Sequence, residues 1–504
     1  MRRLLPSSTS PSWVLAETGI GAIFSLLSML VVSRTIGPSA AGIGALAIAA
    51  FLLLDLFGGS MMTDALIQWR RLEPRHASSA VTLTVLTGIA AGFVLVLAGL
   101  VLSSTTGHPQ IVLLTLALAP LLPLSAFSGV GSGLVLRERR YRLLGMRVFI
   151  GQPVGLALGL LVAHQHGGAW AMVALQSGNT VVVFLLFLFT KAAPLRPSLD
   201  RAALGDLWPV AGPQLLSVVM LAGRYRVFII ALGMITTGSV VAVCNVGFRL
   251  LDAVLTIVSG STLRITLPRL SALQDDPVGF AQAYGETAQF QALLGWPIAA
   301  GVALTANNLV IGLMGPQWAS AAEGTRIAAC AAMLTYTYGD AGSLWIAIGK
   351  TRMNLLTATA ALLVPVIGLL LLRPQTPAQA ALCWGATALV LAPINLALVT
   401  RRIHRSPLWM MQRLWPAAAA TAAMALAVLA VGPMLPKAPL LALVCQAGLG
   451  AAVFGLVAFL ALGRCLPRAL KVHPAAHDMP ASHELLAAHE IAGAHEMAGP
   501  AGAA

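Results

Sequence analysis

The chain has 504 residues, 58% of them hydrophobic and only 10% charged, with a mean hydropathy of +0.86. A soluble domain carries roughly 25% charged residues, so a water-facing globule is excluded and the surface must face lipid. The formal net charge of +14 would suggest nucleic acid in a soluble protein. Here the cations lie between apolar stretches, where they anchor against anionic headgroups, and no nucleic-acid partner is expected.

A hydrocarbon core takes about 20 apolar residues per helix. In chain order that length predicts spans near 13–35, 39–66, 78–102, 111–135, 146–164, 169–190, 208–233 and 239–262. The series continues near 288–313, 325–348, 354–372, 378–400, 415–432 and 438–462, about 14 transmembrane helices in all. The first stretch is too long for a signal-peptide core and reads as a retained span. The connection 264–287 carries Gln274-Asp275-Asp276-Pro277 and is expected to form a short interfacial helix capped by that acidic turn. Trp170, Trp208, Trp296, Trp318, Trp409 and Trp415 fall near span ends and read as interfacial anchors.

The Lys and Arg residues alternate sharply between connections. Every second one is basic, from Arg2 and Arg3 through Arg70, Arg71 and Arg75 to Arg137–Arg147, and so on to Arg464, Arg468 and Lys471. These positions hold 24 of the 31 cations, against four on the intervening connections: Arg34, Arg326, Arg373 and Lys437. This is the positive-inside pattern, and it places both termini in the cytoplasm of a multi-pass protein.

Five cysteines without CxxC spacing read as small core residues, and no metal site is expected. The tail, 464–504, is rich in His, Ala and Glu. Its His-Glu pairs at 483, 489 and 495 recur every six residues, whereas ligand pairs on one helical face need spacings of three or four. A disordered, low-complexity cytoplasmic tail is the expectation.

The first twelve spans read as two copies of six. Ile36-Gly37-Pro38-Ser39 after span 1 is echoed by Thr237-Gly238-Ser239 after span 7, and Gly107-His108-Pro109-Gln110 by Gly315-Pro316-Gln317-Trp318. Six is even, so both copies enter the membrane the same way, as in transporters that rock one lobe against another. The predicted fold class is therefore an all-α polytopic membrane protein with two pseudo-symmetric six-helix lobes, 1–190 and 191–400. Two additional helices follow at 401–463.

The three remaining cations, Arg224, Arg226 and Arg249, fall inside apolar stretches. An ionisable group at bilayer depth faces a cavity or a partner. Arg224 and Arg226 are two apart, so a regular helix points them in nearly opposite directions, and both reach one cavity only where the helix is distorted. Arg249 lies three residues before Asp252 on the same helical face, which makes it either an internal ion pair or a cavity cation. Arg34, beside the Gly37-Pro38 corner, is either an interfacial snorkeller or a fourth cavity cation. Glu17, Asp55, Asp252 and Asp340 are the intramembrane carboxylates, each a candidate proton or sodium site or a partner for an arginine.

Several segments together carry a family resemblance. They are Ser33-Arg34-Thr35-Ile36-Gly37-Pro38 with Gly42; Asp55-Leu56-Phe57-Gly58; the basic loop 137–144; and Gly168-Ala169-Trp170-Ala171. Further on come Pro268-Arg269-Leu270-Ser271 with Gln274-Asp275-Asp276, Pro297 through Gly301, and Gly315-Pro316-Gln317-Trp318. Over about 12–400 the chain resembles the Wzx-type polysaccharide flippases, in the WzxC-like branch of the multidrug/oligosaccharidyl-lipid/polysaccharide exporter superfamily. One departure stands out: such proteins often place an Asp where this chain has Arg226.

The resemblance implies a non-enzymatic transporter of the bacterial inner membrane. It would move an undecaprenyl-pyrophosphate-linked oligosaccharide to the periplasmic leaflet, with no cofactor beyond a coupled H+ or Na+ gradient. Implied partners are that lipid-linked oligosaccharide, membrane lipids, a polysaccharide polymerase and a chain-length regulator. Two alternatives stand beside it. A multidrug or metabolite exporter of the same superfamily would favour a carboxylate-lined cavity for cationic drugs. A membrane polymerase or glycosyltransferase would bring a large external loop, which the short external connections here do not supply.

Overall fold

The computed structural model describes residues 12–462; within them, the side chains of 12, 14–16, 18, 221, 250, 252–265, 268 and 351 fall outside the description. All regular structure in the described residues is helical, as the apolar runs require: in lipid only an α-helix satisfies every backbone group within one segment.

Helix α1 (Ser12–Gly59) is two arms joined at Gly37, whose φ of 79° and ψ of 168° break the helix just before Pro38. A left-handed φ is a conformation glycine adopts without a Cβ clash, and Pro38 cannot donate to continue the ladder. Both ends of α1 lie at one end of the bundle. Gly21 faces Val148, while the Gly59 backbone is pressed against Gly129. Helices α2 (Thr63–Gln68), α3 (Pro74–Thr106), α4 (Gln110–Leu118), α5 (Leu121–Arg137), α6 (Tyr141–His164) and α7 (Trp170–Phe189) complete the first half. The second half consists of α8 (Arg201–Gly233), α9 (Gly238–Ser271), α10 (Pro277–Met314), α11 (Ala321–Thr335), α12 (Ala341–Ala347), α13 (Thr351–Leu372) and α14 (Pro377–Arg402). Helices α15 (Pro407–Val431) and α16 (Pro439–Leu462) pack on each other and on α10, where the Asn308 amide donates to Gln446 at 2.9 Å.

Among the described residues ten helices are long and apolar enough to cross a membrane, or eleven if the bent pair Arg201–Met220 and Ala222–Gly233 is one span. The expected fourteen is not reached on length and apolarity. The run Gly19–Gln68 counts once although it doubles back at Gly37, and α11 and α12 are separated by the non-helical stretch 336–340. Helix α9 is also outside the ten. Phe93 on α3 is 70% exposed and Leu371 on α13 is 79% exposed, on helices with no other reason to show large apolar groups, so the outer belt faces lipid. The protein is a multi-pass membrane protein.

Two readings from the sequence change. No separate interfacial helix occupies 264–287: α9 runs on to Ser271 and α10 starts at Pro277. The acidic turn does cap a helix, since Asp276 Oδ1 accepts from the backbone of Val278 at 3.1 Å and of Gly279 at 3.0 Å, but the helix is α10 itself. Trp318 is not an interfacial anchor; it is fully buried in the core beside the end of α10. The tail at 464–504 lies outside the described residues.

At the bundle end opposite the basic connections, α1 and α9 meet backbone to backbone. A Cβ built on Gly42 would stand 1.7 Å from the carbonyl oxygen of Gly238. Beside this contact the Arg34 guanidinium donates to the Leu313 carbonyl at 3.2 Å, and the Gln317 amide donates back to the Arg34 carbonyl at 2.7 Å. The halves are thus closed against each other at that end.

Candidate functional site

Between the two halves lies a cavity of about 700 Å³. Both arms of α1 and the middle of α7 wall it on one side; α8, α9 and Trp384 of α14 wall it on the other. Its floor is apolar, with Leu26, Met29, Ile48 and Leu52 among the lining residues. Into it come Arg224, Arg226 and Arg249, and among the described residues no carboxylate lines its wall.

Arg224 and Arg226 both lie on the segment Ala222–Gly233, just after a bend of 44° in α8 between Met220 and Ala222, and each reaches the cavity by its own side-chain course. The prolines of α8, Pro209 and Pro213, lie earlier, so the bend is not placed at either ring. Below it the Arg226 guanidinium curls back to donate to the Ala222 carbonyl of its own helix and stays within electrostatic reach of Asp55. Arg224 is held differently. Its guanidinium lies 5.8 Å from the centre of the Trp384 ring, and Phe248 stacks on that ring at 5.4 Å with planes 25° apart. A guanidinium over an indole is stabilised by the ring quadrupole without losing its charge. Among the described residues no carboxylate pairs with Arg224 or Arg249. The side chain of Asp252, the expected partner of Arg249, lies outside the described residues.

Arg34 does not join these cations. It sits outside the cavity wall and bridges the halves through Leu313 and Gln317, because the Gly37 corner carries it to the far end of the bundle. The carboxylates also separate. Glu17 is ion-paired with Arg147, whose other nitrogen donates to Ser132 Oγ at 2.6 Å. Asp340 is the N-cap of α12, its two oxygens taken by the backbone N–H and hydroxyl of Ser343. Asp55 is different. Ser125 hydrogen-bonds to it, yet its Oδ1 is buried without a hydrogen-bond partner.

Asp55 lines a second cavity of about 530 Å³, within the first half and toward the basic end. The two cavities share Gln176 and Asn179 of α7 as a common wall. These amides, and Asn245, whose Oδ1 accepts from the Tyr225 hydroxyl at 2.5 Å, were not singled out from the sequence. A signal was there: Gln176 and Asn179 are three apart, and Asn245 and Arg249 four apart, so each pair marks one polar face on an otherwise apolar helix.

A family model described as "Polysaccharide biosynthesis protein" matches residues 31–323, more than half of the chain. The chain belongs to this family. It is 24% identical over 314 residues to the succinoglycan biosynthesis transport protein ExoT of Rhizobium meliloti (strain 1021). That match covers 61% of this chain and 62% of the relative, so the likeness spans less than two thirds of ExoT. Among solved structures, the fold matches the lipid II flippase MurJ in an inward closed conformation, with a TM-score of 0.72 at 12% identity. That match covers 90% of this chain and 99% of the other. It also matches an inward-facing multidrug resistance transporter of the MATE family, with a TM-score of 0.63 at 15% identity, over 77% and 95% of the two chains. The family is one of polysaccharide biosynthesis, as the resemblance carried by the residue motifs implied, and the fold is shared with the MurJ and MATE-family structures.

Proposed function

We propose that this family member is a flippase for an undecaprenyl-pyrophosphate-linked oligosaccharide, carrying it from the cytoplasmic to the periplasmic leaflet of a bacterial inner membrane by alternating access. The observation that carries this reading is the convergence of Arg224, Arg226 and Arg249 on one inter-lobe cavity with no carboxylate in its wall among the described residues. A pyrophosphate cannot cross hydrocarbon unaided, and guanidinium forks match its oxygens while retaining charge in a low-dielectric site. The surrounding apolar wall suits the start of a prenyl chain. A drug exporter for cations is disfavoured by the same charge. A polymerase or glycosyltransferase finds no external loop in which to house catalytic groups.

The basic end of the bundle is taken as cytoplasmic. The closed contact of Gly42 with Gly238 then shuts the periplasmic end, and the cavity belongs to a state that loads from inside. Asp55 is the carboxylate best placed to couple transport to a proton or sodium gradient, since its free oxygen is buried and its charge is felt at Arg226. Binding an ion there shifts the lobe equilibrium only by its differential affinity for the two states.

The test is polymer export by Arg224→Ala/Arg226→Ala in a strain lacking the native gene, with membrane insertion checked by immunoblot. Export should fall at least tenfold, since an uncompensated pyrophosphate at membrane depth costs several kcal/mol. Full export by the double variant removes the reading.

A further inference from the structure

We propose that the second cavity is a sugar chamber, which takes the uncharged glycosyl units of the substrate while the pyrophosphate rests on the arginines. This rests on the function proposed above and adds where the headgroup's two chemistries divide.

The chamber adjoins the arginine cavity through Gln176 and Asn179, so a molecule held at Arg226 can extend past those amides without leaving protein. Its wall differs in kind from that of its neighbour. Where the arginine cavity presents Leu, Met and Ile, the chamber presents hydroxyls from Ser60, Thr63, Ser125, Ser128, Ser132 and Thr180. Ser128 donates to the Leu124 carbonyl at 2.8 Å and Ser132 to the Ser128 carbonyl at 2.8 Å. With its proton engaged, the Ser128 oxygen is left as an acceptor for a ligand, whereas the Ser132 oxygen already accepts from Arg147 at 2.6 Å.

Two further acceptors are buried and unsatisfied. One is Asp55 Oδ1; the other is Gln152 Oε1, whose amide nitrogen already donates to the Gly21 carbonyl at 3.2 Å. A chamber walled by hydroxyls, with unsatisfied acceptors buried in its wall, asks for a ligand rich in donors, and the hydroxyls of a pyranose are such donors. The charges define the sugar further. The wall holds Asp55, Asp64 and Arg147, and Arg147 is already committed to Glu17 and Ser132. Arg226 stands across the shared wall, in the neighbouring cavity. Among the described residues no cation of the chamber is open to a uronic acid, and two carboxylates repel one.

The experiment measures affinity of the purified, full-length protein in lipid nanodiscs for three probes. These are undecaprenyl pyrophosphate, the same lipid bearing a glucose disaccharide, and the same lipid ending in glucuronate. Wild type should bind the glucose-bearing lipid about tenfold tighter than the bare one, the equivalent of one or two good hydrogen bonds, with no gain for glucuronate. In Ser128→Leu, which fills the chamber, and in Gln152→Met, which removes an acceptor at similar volume, the ratio of the two affinities should fall toward one. Monodispersity and thermal midpoint confirm that each variant folds. No sugar gain in wild type overturns the proposal, as does a gain retained by both variants or an equal gain for glucuronate. Sodium-dependent binding without any sugar gain overturns it in favour of a cation site. Failure of the underlying reading looks different: bare undecaprenyl pyrophosphate would not bind, or Arg224→Ala would leave its affinity unchanged.

Discussion

Replacing Gly42 by alanine tests how the lobes close. A Cβ at that position would stand 1.7 Å from the Gly238 carbonyl oxygen, where 3.0 Å is the lower limit of real contacts, so α1 and α9 must separate by about 1.3 Å, the difference between the two. The obstacle is backbone in a helix, with no side chain to rotate aside. Overpacking of this kind costs about 1–3 kcal/mol, and the cost falls only on the state in which the two helices touch. The lobe equilibrium should therefore move roughly 5- to 150-fold away from that state. The reciprocal change makes an internal control, because a Cβ on Gly238 meets nothing nearer than the Ser39 carbonyl at 3.6 Å, an ordinary contact. Spin labels on cysteines introduced at exposed Ser104 and Ser320, in a background lacking the five native cysteines, would report the separation by pulsed electron resonance. Gly42→Ala should shift the distances outward and depress export, and Gly238→Ala should do neither. An unchanged distribution with normal export in Gly42→Ala would refute the closing role of this contact.

Two other predictions address single side chains. Asp55→Asn keeps the shape of the site and its hydrogen bond with Ser125 but can no longer exchange an ion. Translocation into vesicles should then lose its dependence on an imposed gradient, and a gradient response equal to wild type would exclude Asp55 as the coupling group. Arg137→Ala should lower the thermal midpoint of the detergent-solubilised protein. Its guanidinium donates to the carbonyls of Leu66, Ile67, Trp69 and Arg70 at 2.7, 3.2, 2.5 and 3.2 Å, closing the end of α2. Charge-assisted bonds to otherwise open helix carbonyls suggest a loss of about 2–4 kcal/mol. Arg137→Lys should recover only part of it, since an ammonium cannot fork across several carbonyls; an unchanged midpoint in the alanine variant would show that α2 needs no such cap.

Arg137 also illustrates why reading a sequence stops where it does. In the sequence it is one member of a basic loop, indistinguishable from Arg139 or Arg142, and serves as a topology marker. Its four carbonyl acceptors come from the end of α2 and the residues just after it, about 70 residues earlier, and no local pattern contains that distance. Glu17 and Asp340 were equal to Asp55 as coupling candidates because burial in an apolar run was all that the sequence showed of any of them. Only the fold gave Glu17 to Arg147 on α6 and turned Asp340 into a helix cap, leaving Asp55 with an open oxygen. Arg34 stayed open between an interfacial snorkeller and a cavity cation for a related reason. Membrane depth can be estimated from position in a span, but the direction a corner faces cannot.

What the sequence determined by itself was the solvent and the inventory. Apolar runs of bilayer length dictate helices, because lipid leaves the backbone no other way to satisfy its hydrogen bonds, and charges inside those runs stand out by their cost. Arg224, Arg226 and Arg249 were identifiable on that ground alone. Their convergence was decided by tertiary structure: the packing of α8, α9 and Trp384 of α14 opposite α1 and α7 around one space. The hydroxyl-lined chamber was likewise invisible. Serines and threonines scattered through apolar helices cost little where they fall, since each can bond the preceding turn, so they leave no mark in the pattern. Only packing α1, α5, α6 and α7 around a common space assembles them into a wall with acceptors to spare.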